Sequence, residues 1–317
     1  MNNARVPAKR LALPALIWAA LAACGGGDGG PQPITVSEAP RVEPASAGSD
    51  VSLSNYQSLA APLAQLVLTA TGSGYLGARV SAMSAGRGRS QPTQTMGPIA
   101  CANAGGTFTL TAADSNGNGM VDAGDTATIS YSNCQTDVGM PMIDGTFTLS
   151  VNRSELDANG EPTALDFDGS MVNLTEGTLA TLNGPFNVVR AECDPGTGIC
   201  GHQRVSFRDA TASHAGQTVV LRLDVLTVHG GGENTEISGA LGVGGQFYAL
   251  APVAGERFVV ATGQSFPQSG RMRMLDATGD ALEIKGEPGS LVDFRFFPSG
   301  SATATGNWTG QPWSAFQ

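Results

Sequence analysis

Oxygen-bearing side chains recur at short intervals between residues 114 and 125. The segment reads Asp-Ser-Asn-Gly-Asn-Gly-Met-Val-Asp-Ala-Gly-Asp, so acids or amides occupy its first, third, fifth, ninth and twelfth positions. Calcium takes oxygen ligands, and glycine at the sixth position, here Gly119, allows the sharp turn that points alternate side chains inward. The spacing therefore predicts a calcium-binding loop.

This segment resembles the EF-hand calcium loop, and more closely its dockerin variant, in which the twelfth residue is Asp. The resemblance implies the following ligands: side-chain oxygens of Asp114, Asn116, Asn118, Asp122 and Asp125, and the backbone carbonyl of Met120. Asp122 would bind directly or through a water. Three carboxylates and two amides imply a structural ion bound at micromolar affinity or more weakly.

The resemblance covers the loop and not a fold. Helices flank the loop in the family, whereas the flanks here, 107–111 and 126–131, alternate like strands. The alternative interpretation is an acidic hairpin loop in which Asn-Gly pairs make turns without an ion.

Four cysteines follow Cys24, and they allow three pairings. Cys193 and Cys200 enclose Asp-Pro-Gly-Thr-Gly-Ile, which favours a turn. We therefore predict a Cys193–Cys200 disulfide, which leaves Cys101 to pair with Cys134. Neither pair has the spacing of a zinc site.

The sequence contains no Gly-x-Ser-x-Gly elbow, phosphate-binding glycine loop or His-Glu-x-x-His motif. His202, His214 and His229 lie on predicted strands or loops. A catalytic triad is recognised by geometry, so the sequence leaves open whether one of these histidines belongs to one.

Beyond residue 105 apolar residues alternate with polar ones in many short segments. These segments include 107–111, 128–131, 146–151, 221–225, 271–274, 282–285 and 293–296. Such alternation is typical of antiparallel strands with one buried face. We predict a mainly β domain over 101–317, an antiparallel meander that forms a barrel, a half-barrel or a sandwich.

Between Cys24 and this domain the chain has three parts. Residues 24–50 and 72–100 are rich in Gly, Pro, Ser and Ala, which predicts a flexible tether and a linker. Residues 51–71 carry apolar residues at three- and four-residue steps, which predicts a short amphipathic helix. The residues of its apolar face are Leu59, Leu63, Leu66 and Val67. We expect this helix to pack on the β domain, with a partner-binding or gating helix as the alternative.

Residues 1–23 have the pattern of a signal peptide, with a basic start and a short apolar run over 11–21. The run is shorter than the roughly 20 residues of a membrane-spanning helix. It ends in Leu-Ala-Ala-Cys24, which resembles the lipobox of bacterial lipoproteins. That resemblance implies cleavage before Cys24, acyl chains on Cys24 and, because Gly25 follows rather than Asp, an outer-membrane location on either face.

The formal net charge is −10, from 17 basic and 27 acidic residues. Removing Arg5, Lys9 and Arg10 with the signal peptide would leave 14 basic residues and a charge near −13. This balance argues against nucleic acid as a partner. The sequence therefore favours a non-enzymatic envelope lipoprotein that binds an apolar ligand or an envelope protein, or that has a structural role. A secreted hydrolase is the alternative.

Overall fold

The computed structural model describes residues 32–41, 43–71, 93–101, 105–135, 142–177, 180–194, 199–230, 232–261 and 264–317. The chain divides into two compact units, Met1–Pro33 and Ile34–Gln317, and the second contains the β-rich part. The predicted signal peptide, Cys24 and residues 72–92 of the predicted linker lie outside the described residues.

In the described part of the chain sixteen antiparallel strands form one continuous sheet, which confirms the prediction of a mainly β meander. In chain order the strands are β1 Gln94–Ala100, β2 Thr107–Ala113, β3 Thr126–Cys134, β4 Ile143–Leu156, β5 Pro162–Glu176, β6 Thr181–Cys193, β7 Cys200–Phe207, β8 Ala210–His214, β9 Gln217–His229, β10 Glu233–Val243, β11 Gln246–Pro252, β12 Phe258–Val260, β13 Arg271–Leu275, β14 Ala281–Glu287, β15 Leu291–Phe297 and β16 Gly306–Pro312.

Sequential strands are neighbours along almost the whole sheet, and the strand order begins at β1 and ends at β16. At two places in the sheet, two strands pair with different parts of the same longer strand. Strands β7 and β8 both pair with β6 and β9, and strands β11 and β12 both pair with β10.

The alternation of side chains separates an apolar inner face from a polar outer face. Ile129 pairs with Leu110 on one side and Phe147 on the other, and all three are buried. On the outer face the hydroxyls of Ser130 and Thr146 are hydrogen-bonded at 3.0 Å. Full burial of each large apolar side chain stabilises the fold by about 1.5–3 kcal/mol, so the inner face dominates the energetics.

Helix α1, Tyr56–Thr71, packs on this inner face against β10, β14 and β15. The four residues of the predicted apolar face are all buried, and they belong to the same hydrophobic cluster as the inner face of the sheet. The short 3-10 helix η1, Trp313–Phe316, also contacts α1, and the Gln65 side chain donates to the Phe316 carbonyl. The expectation that the helix packs on the β domain is therefore confirmed.

The predicted linker over 72–100 is wrong for its last seven residues, because Gln94–Ala100 form β1 and pair with β2. Gly97 and Pro98 are typical of loops, and the prediction of a linker depended on them. Proline removes a backbone donor, which is tolerated where a strand lies at a sheet edge or is irregular. Here β1 is an end strand, and its register shifts between Met96 and Ile99, around the proline.

The predicted flexible tether over 24–50 is also wrong for residues 34–41 and 43–50, which are held against the sheet by hydrogen bonds and apolar contacts. We call residues 34–41 and 43–51 the strap. The backbone N–H of Arg41 donates to the Ser238 hydroxyl at 3.0 Å, and Ser46 exchanges backbone and side-chain hydrogen bonds with Phe247 at 2.8 Å. Ile34 is buried in a small cluster with Ala164 and Ala191. These partners are distant in sequence, so the composition of the strap gave no sign of them.

Both predicted disulfides are present in the structure. Cys101, just after β1, pairs with Cys134 at the end of β3. Cys193 and Cys200 are directly opposite each other on β6 and β7. Each disulfide therefore closes a connection between neighbouring parts of the meander.

Asp276 holds the end of the strap to the turn between β13 and β14. Its carboxylate accepts hydrogen bonds from the backbone N–H groups of Val51, Thr278, Gly279 and Asp280 at 2.8–3.0 Å, and from the Thr278 hydroxyl at 2.8 Å. Burial opposes ionisation, but these hydrogen bonds outweigh it and lower the pKa of Asp276 below its ordinary value of 3.8.

Replacing Asp276 with Ala should lower the free energy of unfolding by about 2–4 kcal/mol at pH 7, because the buried Val51 N–H and three backbone donors of the turn lose a charged acceptor. Urea denaturation measures this, with Asp276→Asn expected to be intermediate. The folded pKa is depressed, so the contribution is full above the unfolded pKa and is lost as the pH falls through the folded pKa. The difference between the unsubstituted protein and Asp276→Ala should therefore shrink below about pH 4.

Asp209→Asn is the matched control for Asp276→Asn, since Asp209 is exposed, pairs with the exposed Arg222, and has a φ of 60°, which Asn adopts readily. Its effect should stay within about 0.5 kcal/mol. Equal effects of the two substitutions would contradict the role given to Asp276.

Candidate functional site

The predicted calcium loop connects β2 to β3, and Asp125 closes it. The Asp125 carboxylate is buried and accepts hydrogen bonds from the backbone N–H groups of Ser115 at 2.8 Å and Asp122 at 3.0 Å. The Asp125 carbonyl accepts a hydrogen bond from the Val151 N–H at 2.8 Å, which ties the loop to β4. Asp125 is therefore a structural residue of the loop, whether or not an ion is bound.

Asp114 lies at the start of the loop with both carboxylate oxygens facing backbone donors. Oδ2 accepts from the N–H of Gly119, and Oδ1 accepts from the N–H of Gly117, both at 2.6 Å. These hydrogen bonds, that from Gly119 foremost, lower the pKa of Asp114 although burial opposes this. Gly117 and Gly119 have φ of 75° and 76°, a left-handed conformation that favours glycine. The two glycines thus let the loop fold around an ionised carboxylate.

Asp122 faces the two asparagines of the loop. Asn116 Nδ2 donates to both Asp122 oxygens, at 3.0 and 2.9 Å, and Asn118 Nδ2 donates to Oδ2 at 2.6 Å. The Asn118 Oδ1 accepts the N–H of Met120 at 2.7 Å, while the Met120 side chain is exposed. All five predicted side-chain ligands thus belong to one short network, and Met120 adjoins it.

The donor set is of the right chemical kind for calcium, but the carboxylates face N–H donors rather than one another. Among the described residues, no group of three or more His, Cys, Asp or Glu side chains is arranged to hold a metal ion. The Oδ1 atoms of Asn116 and Asn118 each accept one backbone N–H. A carbonyl oxygen has two lone pairs, so each retains one for a cation.

The three histidines lie on different strands and in different surroundings. His202 Nδ1 lies 3.0 Å from Glu192 Oε2, and its Nε2 lies 3.4 Å from Glu38 Oε1 on the strap. His214 ends β8 at a tight turn. Burial, and then the positive charge of Arg190, lower the pKa of His229. Within the described part of the chain, none of the three is hydrogen-bonded to a serine hydroxyl.

A second group of charged and polar side chains lies on the outer face of β13–β16. It was not predicted from the sequence. Arg273 is directly opposite Glu283, Glu283 is opposite Arg295, and Arg295 is opposite Asn307. The alternation over 271–274 and 282–285 located the strands. It did not show the register, which alone brings these four residues into one row across the sheet.

No helix within the described residues combines the length and the hydropathy that a membrane crossing requires. No protein-family model matches the chain, and no curated protein or solved structure is significantly similar to it.

Proposed function

We propose that this chain is a membrane-anchored envelope lipoprotein whose β domain has a non-enzymatic binding or structural role. The observation that carries the proposal is Cys24 at the end of Leu-Ala-Ala-Cys, after a basic segment and a short apolar run. The two disulfides of the domain agree with an exported, oxidising environment. Outer-membrane placement follows from Gly25 and is part of the same proposal.

The interior of the sheet supports a structural or surface-binding role over carriage of an apolar ligand inside it. Helix α1 occupies the inner face, and its buried residues share one cluster with the inner side chains of the strands. Phe147, Phe167 and Phe258 are fully buried there. A domain of this kind offers its outer face and its loops to partners.

The strap limits how far the domain extends from the membrane under this proposal. The strap begins at Ile34, ten residues after Cys24. A fully extended chain spans at most about 3.6 Å per residue, so Ile34 would lie within about 36 Å of the acylated cysteine. The domain would therefore work close to the membrane surface.

Mass spectrometry of the protein from bacterial membranes tests the anchor. We expect a mature N-terminus at Cys24 that carries fatty acyl chains, and Cys24→Ser should move the protein from the membrane fraction to the soluble fraction. Several acyl chains, at about 0.8 kcal/mol per buried methylene, give an effectively stable attachment.

The double variant Cys193→Ala/Cys200→Ala is the matched control, because it removes two other cysteines. It should keep both the acylated N-terminus and its place in the membrane fraction. An unacylated Cys24, or a mature N-terminus elsewhere, would rule out the proposal.

The loop at 114–125 is proposed to bind a structural calcium ion. Its support is the network that joins Asp114, Asn116, Asn118 and Asp122, together with the free lone pairs of the two amide oxygens. The ion would displace the N–H donors of Asn116 and Asn118 from Asp122 and supply the charge that these carboxylates attract. With Cys101–Cys134 on the same group of strands, ion and disulfide would stabilise β2 and β3 at both ends.

Calcium at 1 mM should raise the melting temperature by about 3–8 °C over EDTA, as expected for an affinity of about 10–100 µM. The variant Asp114→Asn/Asp122→Asn should lose this rise, because it removes two of the three carboxylates at constant size. Asp125 is left unchanged in the test because it holds the loop closed without an ion.

Asp157→Asn is the matched control, since Asp157 accepts backbone N–H groups in another hairpin turn. It should keep the full calcium response. An unsubstituted protein that melts at the same temperature in calcium and in EDTA would show that the loop is an ion-free hairpin turn.

A further inference from the structure

A polar cleft of about 470 Å³ opens on the outer face of β13–β16. Its size lies in the range of small-molecule sites in proteins. Three guanidinium groups, a carboxylate, an aromatic ring and an amide line it. These belong to Arg271, Arg273, Arg295, Glu283, Phe297 and Asn307. Each arginine is paired with a carboxylate, Arg271 with Glu256, Arg273 with Glu283 and Arg295 with Asp293, so the charges are balanced and the capacity for an anion lies in guanidinium donors that these pairs leave unused.

Strand register fixes the floor of the cleft. Arg273, Glu283, Arg295 and Asn307 occupy one row across four neighbouring strands. Neighbouring strands are about 4.8 Å apart, so the two arginines flank Glu283 at a Cα separation of about 10 Å. The positions on either side of this row, such as Met274 and Leu282, are buried in the core. The row therefore stands on a rigid part of the sheet.

Glu283 is the buried member of the row, with a side chain only 1 % exposed. Its Oε2 accepts a hydrogen bond from Arg273 Nε at 3.0 Å, and Arg271 Nη1 lies 3.8 Å from its Oε1. Oε1 accepts no hydrogen bond from the described residues. Buried polar atoms are almost always hydrogen-bonded, and the charge of Arg271 is what compensates this oxygen in the protein.

The arginines retain donors that the protein does not use. Arg273 lies over the Phe297 ring, 4.8 Å from its centroid, which holds the guanidinium plane in place. Arg295 Nη2 donates to Asp293 at 3.2 Å. Within the described residues, both Nη groups of Arg273 and the Nε and Nη1 of Arg295 have no hydrogen-bond partner. Arg271 is held by Glu256, and this hydrogen bond raises the pKa of Arg271.

We propose that this cleft binds an acidic sugar, that is, a monosaccharide or disaccharide that carries a carboxylate. Guanidinium forks match the planar carboxylate in charge and geometry. The amide of Asn307 in the lining suits a ligand hydroxyl. The negative charge of Glu283 repels a doubly charged phosphate about twice as strongly as a singly charged carboxylate at the same distance.

The inference rests on the binding role proposed above, but not on the lipid anchor. Isothermal titration of the purified full chain with glucuronate tests it, with glucose as the uncharged probe and glucose 6-phosphate as the dianionic probe. Glucuronate should bind at least tenfold more tightly than either of the other two sugars. Binding of glucose 6-phosphate that equals or exceeds glucuronate, or equal binding of glucose, would overturn the assignment.

Arg295→Gln and Arg273→Lys should each weaken glucuronate binding at least tenfold, the second because lysine keeps the charge but loses the fork. Arg222→Gln is the matched control, because Arg222 lies 4.2 Å from the Phe247 ring centroid and pairs with Asp209 elsewhere on the outer face. Equal losses in the control and in the cleft variants would overturn the proposal, as would an absence of glucuronate binding by the unsubstituted protein.

Two further measurements, of glucuronate binding by Cys24→Ser and of membrane fractionation of the cleft variants, separate this proposal from that of the anchor. Circular dichroism checks that each cleft variant stays folded, and Arg273→Lys serves if Arg295→Gln unfolds. Cys24→Ser should bind glucuronate like the unsubstituted protein, whereas the cleft variants should remain in the membrane fraction. A failed anchor and a failed cleft would thus give different results.

Discussion

Burial of the single apolar face of the sheet is the constraint on which the rest of the structure depends. Burial alternates along strands such as β3, β4 and β13, and the buried side chains of the meander form one large apolar surface that must leave water. Helix α1 covers part of this surface where it packs against β10, β14 and β15. The 3-10 helix η1 also packs against α1. The strap leads into α1, is hydrogen-bonded to Ser238 and Phe247 on the sheet, and is held at its end by Asp276 in the turn between β13 and β14. Residues 34–71 are therefore part of the folding unit and not an appendage to it.

The same constraint decides where chemistry is placed. An inner face filled with phenylalanine, leucine and helix α1 leaves the outer face and the hairpin loops for polar side chains. The loop at 114–125 lies at the end of β2 and β3, and the row from Arg273 to Asn307 lies on the outer side of β13–β16. Both candidate sites stand on paired strands, which hold their side chains at fixed spacings.

Local patterns in the sequence predicted what local physics determines. Period-two alternation located strands such as β3 and β4, three- and four-residue spacing located the buried face of α1, and turn chemistry indicated Cys193–Cys200. The failures share a different cause. Pro98 hid an end strand, and the strap is held by residues more than 100 positions away. The Arg273–Glu283–Arg295 row exists only through strand register, which the spacing of residues along the chain does not specify.

Hydrogen exchange of the purified chain tests most directly whether the strap and α1 belong to the folded unit. Amides of residues 56–71 should be as protected as those of β10 and β14, because α1 can open only when the inner face is exposed. Strap amides with partners on the sheet, such as those of Arg41 and Val51, should be protected as well. Exchange of residues 34–71 at the rate of an unfolded peptide, with the strands still protected, would contradict the account.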